Sequence, residues 1–188
     1  TLQGAFKQGI AKGVLRPAGM IHSSFRQFGP DENANRRAWG HIGRQQPVEG
    51  GAYHYPELAA AGLWTTPTDY ARFLIALQRS WSGQKGALLR HETARTMMTP
   101  VLGNYGLGLQ ISERGGRLAI SHSGVNEGFV SQYVAHLDGA GEGVVIMTNG
   151  AGGGALIGPI LAVLVRHYDW MRADRSSSET IGQTPGRD

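Results

Sequence analysis

The spacing of apolar positions divides this chain into a helical first half and a second half of strands closed by one more helix. Leu2, Phe6 and Ile10 recur every four residues, as on one face of a helix, and Gly13 followed by Pro17 supplies a stop. From Ile21 to Ala52 no period holds. Gly, Pro, Asn, Arg and Gln dominate there, and Ala38–His41 reads as one short strand within a long connection that packing elsewhere must support. The clearest helix follows Thr66, whose hydroxyl suits an N-cap. Pro67 suits the first helical position and Asp69 the positive end of the helix dipole. Tyr70, Phe73, Leu74, Leu77 and Trp81 form its inward face. Gly83 and Gly86 break the chain, a shorter helix spans 91–98, and Pro100 ends it.

Beyond Pro100 the period becomes two. Strands are expected over 105–112, 117–122, 129–136 and 143–148, joined by short connections at Gly115-Gly116 and Asp138–Gly141. Such connections make consecutive strands antiparallel neighbours in a meander. The run Val144-Val145-Ile146-Met147 predicts a strand covered on both faces, with 155–170 as a covering helix that tolerates Pro159 only in its first turn. From Arg172 onward Ser, Arg, Gly and Asp predominate, so 172–188 reads as a disordered tail. The expected fold class is α+β: an antiparallel sheet flanked by helices in three αβα layers, over residues 1–171.

Composition narrows the function more than the fold. Charged residues make up 17% and hydrophobic ones 40%, a globular balance, and Gly reaches 29 of 188 residues, so tight backbone turns are frequent. A net charge of +4 with no long basic run gives no electrostatic footprint for nucleic acid. Without cysteine there is no disulfide, thiolate metal site or cysteine nucleophile. The longest apolar window, 155–165, is too short to span a bilayer, so no membrane span is expected. His41 and His54 have no metal-ligand spacing with any partner, and no metal or cofactor is expected. The chain opens on Thr1-Leu2 inside a helical pattern, from which a missing natural start is expected.

The alternating segment Arg117–Val125 carries the candidate chemistry. Leu118 and Ile120 share one face, and the strand then presents His122, Ser123 and Gly124 in succession. An imidazole transfers protons near neutral pH, a hydroxyl hydrogen-bonds substrate, and glycine admits close approach to the backbone. A polar hairpin end would look the same. What distinguishes it is an ordered set: Arg16-Pro17-Ala18-Gly19-Met20, Tyr55-Pro56-Glu57, Ala59 through Asp69 with Leu63-Trp64-Thr65-Thr66, Tyr105-Gly106-Leu107-Gly108, His122-Ser123-Gly124 with Gly128-Phe129, and Thr148-Asn149-Gly150. Over roughly 6–170 this set resembles the serine beta-lactamase and penicillin-binding-protein-like hydrolases, and most of all the class C beta-lactamase-related esterases and peptidases.

The resemblance implies an acyl-serine mechanism without metal or cofactor, acting on a small acyl substrate: an ester, a lactam or a D-amino-acid peptide. It suggests a periplasmic or secreted setting. In the family, Ser-x-x-Lys and Tyr-x-Asn precede the turn represented here by Pro17-Ala18-Gly19-Met20, and a Lys-Thr-Gly or His-x-Gly strand completes the site. Here 16 residues precede Pro17, and no Tyr-x-Asn occurs. The chain is therefore expected to be a C-terminal portion, partnered by an N-terminal half carrying both motifs and inactive alone. The one Ser-x-x-Lys string, Ser82-Gly83-Gln84-Lys85, follows a helix end and is split by glycine, so its lysine is not held one turn from the serine. By resemblance His122 takes the strand Lys/His position, Val125 N–H is an oxyanion donor, Ser123 and Gly124 line the substrate pocket, and Asn126 and Tyr55 border it. The alternative is a non-catalytic module that holds a peptide or peptidoglycan-like ligand.

Overall fold

The computed structural model describes residues 1–29, 36–43, 46–114, 116–138, 141–168 and 170. Helix α1 (Leu2–Ile10) is capped by the Thr1 hydroxyl and runs into a π-helical turn, Ala11–Leu15, that stops short of Pro17. A short helix α2 (Leu58–Ala61) leads to α3 (Pro67–Trp81), where Thr66 accepts from the Asp69 N–H at 3.1 Å as the cap expected of it. Helix α4 (His91–Met97) follows, and α5 (Gly154–His167) closes the described fold.

Between them lies a four-stranded antiparallel meander in the order β1-β2-β3-β4: β1 (Gln110–Arg114), β2 (Arg117–Asn126), β3 (Phe129–His136) and β4 (Gly143–Thr148). Register and alternation assign the two faces. Ile111, Ile120 and Ala135 lie in one row on the front, and His122, Tyr133 and Val145 in the next. The front packs on α3 through Leu74 and Leu77, with Met98 and Leu109 completing the main core. Full burial of such side chains stabilises the fold by roughly 1.5–3 kcal/mol each. On the back, Val134 and Ile146 are buried, Ile157 is the buried contact of α5, and the His136 ring meets Trp170 edge to face at 5.9 Å. The three-layer αβα arrangement and α+β class therefore hold.

Four details differ from the sequence expectation. Residues 105–109 do not join β1, because Gly108 takes φ 81° and the Leu107 N–H bonds to Met97 O, turning the chain away from the sheet. The second strand is longer than expected, continuing to Asn126 because every residue from Ala119 to Asn126 has a partner on β3. Ala38–Gly40 is irregular, with only His41 bridging to Pro47. Pro159 sits in the second turn of α5, not its first; the helix there is exposed, so water can satisfy the carbonyl that proline cannot pair. Cover over β4 is also thinner than its apolar run implies: Ile146 is buried, while Val144, Val145 and Met147 are half-buried. The expected tail, 172–188, lies outside the described residues.

Candidate active site

The site follows from an unequal pairing of β2. On its β1 side the register ends at Gln110↔Ser121, so among the described residues His122–Asn126 have strand partners only on the β3 side. Polar backbone groups along that open edge remain available to a ligand. Beside it lies a cleft of about 400 Å³. The front-face residues His122, Gly124 and Ser131 form one wall, and Leu63, Trp64 and Thr65 stand opposite, with the buried Tyr133 and half-buried Tyr70 between them.

Each sequence-predicted residue has a definite place. His122 is exposed on the front face, its ring 6.4 Å from that of Tyr105 in an edge-to-face arrangement, and the Gln110 side-chain amide donates to the Tyr105 hydroxyl at 2.7 Å. Gly124 pairs with Ser131, and a Cβ on Gly124 would stand 3.0 Å from the Ser131 hydroxyl, so glycine keeps this part of the wall open. Ser123 and Val125 alternate to the back face: their main chain borders the cleft, while the Ser123 hydroxyl lies on the opposite side of the sheet from His122. Asn126 donates from its amide to Ala61 O at 2.9 Å, and the Tyr55 hydroxyl accepts from the Glu127 N–H at 2.9 Å. These two therefore brace the β2–β3 hairpin against the 52–62 connection while they border the cleft. His41 and His54 bond to the carbonyls of Asn149 and Phe28, and among the described residues no group of three His, Asp or Glu could hold a metal ion.

Two aromatic residues lining the cleft, and a third in contact with His122, escape a sequence reading as site residues. Tyr133 reaches it because it is opposite His122, a pairing visible only once the register is known. Tyr70 appears in the sequence as an ordinary inward helix position, yet its ring lies 5.3 Å from that of Tyr133. Burial raises both phenols above the ordinary tyrosine value, Tyr133 by more than Tyr70, so both stay protonated. Tyr105 is the third. Its motif was visible, but its contact with His122 depends on the turn at Gly108.

The opposite wall is fixed by a buried acid. Asp69 accepts from the His22 N–H and from Arg72 at 2.6 Å and from the Ser23 hydroxyl at 2.9 Å, tying the 22–24 segment to α3. Burial raises its carboxyl, but the bonds from Ser23, His22 and Arg72 outweigh this and hold it below the usual carboxylate range. Ser24 and Trp64 exchange backbone bonds at 2.9 Å, and the Trp64 ring packs edge-on between Phe28 and Phe129. Ser82, by contrast, caps the C-terminal end of α3, and both it and Lys85 are exposed and outside the cleft.

The family model described as Beta-lactamase matches residues 2–167. The chain belongs to the beta-lactamase family. Solved structures of similar fold include an octameric penicillin-binding protein homologue from Pyrococcus abyssi, at 22% identity and TM-score 0.60, covering 86% of this chain and 38% of that one. SurE is similar at 20% identity and TM-score 0.68, with 97% and 44% covered. The D-amino acid amidase from Ochrobactrum anthropi SV3, complexed with L-phenylalanine amide, is similar at 18% identity and TM-score 0.55, with 77% and 43% covered. The chain thus spans less than half the length of these structures. No functionally curated protein matches it. His122-Ser123-Gly124 lies in the part of β2 that has no partner on β1.

Proposed function

We propose that residues 1–171 form the C-terminal portion of a serine hydrolase domain and supply one wall of its acyl-transfer cleft. The carrying observation is the open β2 edge at His122–Asn126 beside a cleft of about 400 Å³. Backbone N–H groups on such an edge can stabilise the oxyanion of an acyl-transfer intermediate, the role expected of Val125 N–H. His122 would orient the attacking machinery or hold a substrate carboxylate. Histidine in place of lysine removes a permanent ammonium, which favours uncharged esters and amides. Similarity to a penicillin-binding protein homologue and a D-amino acid amidase supports a substrate among lactams, esters and D-amino-acid amides or peptides.

The attacking serine is assigned to a separate segment bearing Ser-x-x-Lys and Tyr-x-Asn, because the 188 residues contain no Tyr-x-Asn and their single Ser-x-x-Lys caps the wrong end of a helix. The chain alone should not hydrolyse nitrocefin or p-nitrophenyl acetate. Co-expression with a family segment carrying both motifs should restore turnover, and His122→Ala should lower the restored kcat/KM by about 10²-fold or more. Turnover by the chain alone that disappears in Ser82→Ala would overturn the assignment of the nucleophile.

A further inference from the structure

The excess positive charge of this chain lies at one end. The first 30 residues hold Lys7, Lys12, Arg16 and Arg26 and no Asp or Glu, while the other 14 cations are balanced by 14 carboxylates, so the whole excess of +4 resides there. The structure places these cations along a groove between α1 with its π-helical turn and the 23–26 segment, again about 400 Å³ in volume and sharing only Phe25 with the lining of the cleft at β2. Lys7, Lys12 and Arg16 succeed one another along one side of the helix, their backbone anchors spanning about 13 Å at the usual helical rise. None of the three has a carboxylate partner among the described residues. The nearby acid, Asp69, is buried and saturated by His22, Ser23 and Arg72, so it does not neutralise them. Arg26 borders the groove with its guanidinium over the Phe28 ring.

Donors and shape complete the picture. The Ser23 hydroxyl is taken by Thr65 and Asp69, whereas Ser24 Oγ accepts from the Arg26 N–H and keeps its own proton to donate. Leu15 and Phe25 give the groove an apolar floor, which lowers the local dielectric and strengthens charge pairing within it. Lys7, Lys12, Arg16 and the Ser24 hydroxyl line the groove, and among the described residues that line it there is no acid, which suits a multiply charged oxyanion. We propose that the groove between α1 and residues 23–26 binds a phosphate-type anion, with Lys7, Lys12 and Arg16 as its cationic contacts. This site is independent of the hydrolase reading and needs no catalytic partner.

The test uses the whole chain in two arms: calorimetric titration with inorganic phosphate at low salt, and co-sedimentation with phosphatidylglycerol/phosphatidylcholine vesicles against phosphatidylcholine alone. Binding in either arm, weakened at least tenfold in Lys12→Ala/Arg16→Ala and by 0.5 M NaCl, supports the site. Phosphate binding assigns it to a soluble phosphorylated ligand, and vesicle binding alone to a lipid headgroup. Lys85→Ala, at an exposed turn outside the groove lining, should bind like the parent. Lys12 and Arg16 are both exposed, and circular dichroism of the double variant verifies that the fold is kept. Absence of binding in both arms overturns the proposal, as does equal weakening by Lys85→Ala.

Discussion

Gly128 closes the turn on which the candidate wall depends, and replacing it tests whether the hairpin is held as the structure describes. Its φ is 79°, a left-handed conformation that costs an L-residue roughly 1–2 kcal/mol. A Cβ there would also stand 2.7 Å from His41 N and 2.8 Å from Gly40 C and Cα, backbone atoms that cannot swing aside. Overpacking of this kind costs about 1–3 kcal/mol more. Gly128→Ala should therefore destabilise the chain by about 2–5 kcal/mol, which for its size lowers Tm by roughly 6–15 °C. Gly86→Ala is the matched control: φ is 76°, but nothing lies within 4 Å of the added carbon, so only the conformational cost of about 1–2 kcal/mol applies. Thermal unfolding followed by circular dichroism measures both. If Gly128→Ala costs no more than Gly86→Ala, the close approach of the hairpin to Gly40-His41 is wrong, and with it the geometry of the wall.

Three further outcomes follow from named contacts. Asp69→Ala should cost about 2–3 kcal/mol by orphaning three donors, measured by urea unfolding. Because the folded carboxyl titrates below its unfolded value of 3.8, its contribution is present above that pH and is lost as pH falls through the folded value, so the parent-to-variant gap should close in acid. His136 is buried, and desolvation together with Arg117 depresses its imidazole against the opposing pull of Glu142 and Asp138. Protons then favour the unfolded state below 6.5, so stability should decline as pH falls from 6.5 toward the folded value, and His136→Phe should remove that slope from the pH dependence of Tm. Tyr55→Phe loses the acceptor for Glu127 N–H at an exposed site and should cost about 0.5–1 kcal/mol. Accelerated exchange of the Glu127 amide in NMR would confirm that brace, and unchanged exchange would refute it.

The elements easiest to read were those whose signals are local. Thr66, Pro67 and Asp69 sit together at the start of α3, and its apolar face repeats over four turns, so the helix was legible to within a residue. The meander was equally legible because its connections are too short for any other topology. The failures lie where a distant contact overrides a local pattern. Tyr105–Leu109 alternates like a strand, but Met97 O captures the Leu107 N–H and Gly108 permits the turn. Glycine runs ordinarily mark flexible turns, yet 151–153 is a helical turn in which a Cβ on Gly153 would overlap the Thr148 hydroxyl. Composition cannot distinguish glycine chosen for freedom from glycine chosen for contact.

The candidate site divides along the same line. That 117–125 would leave the apolar pattern at His122 was evident from the sequence, but which groups then face the cleft depends on register. Pairing of His122 with Tyr133 and Gly124 with Ser131 sends the even-numbered residues of β2 to the front, so imidazole, open glycine and buried phenol meet on one surface. The same alternation removes the Ser123 side chain from that surface and leaves only the backbone of Val125 beside the cleft. Tyr55 and Asn126, read from the sequence as bordering the substrate, line the cleft and spend their polar groups on Glu127 and Ala61. An open strand edge can hold a developing charge only if its backbone does not move when the charge appears. The turn at Gly128 and these two braces limit such movement here, tying the hairpin end to Tyr55 and to Ala61 at the end of α2.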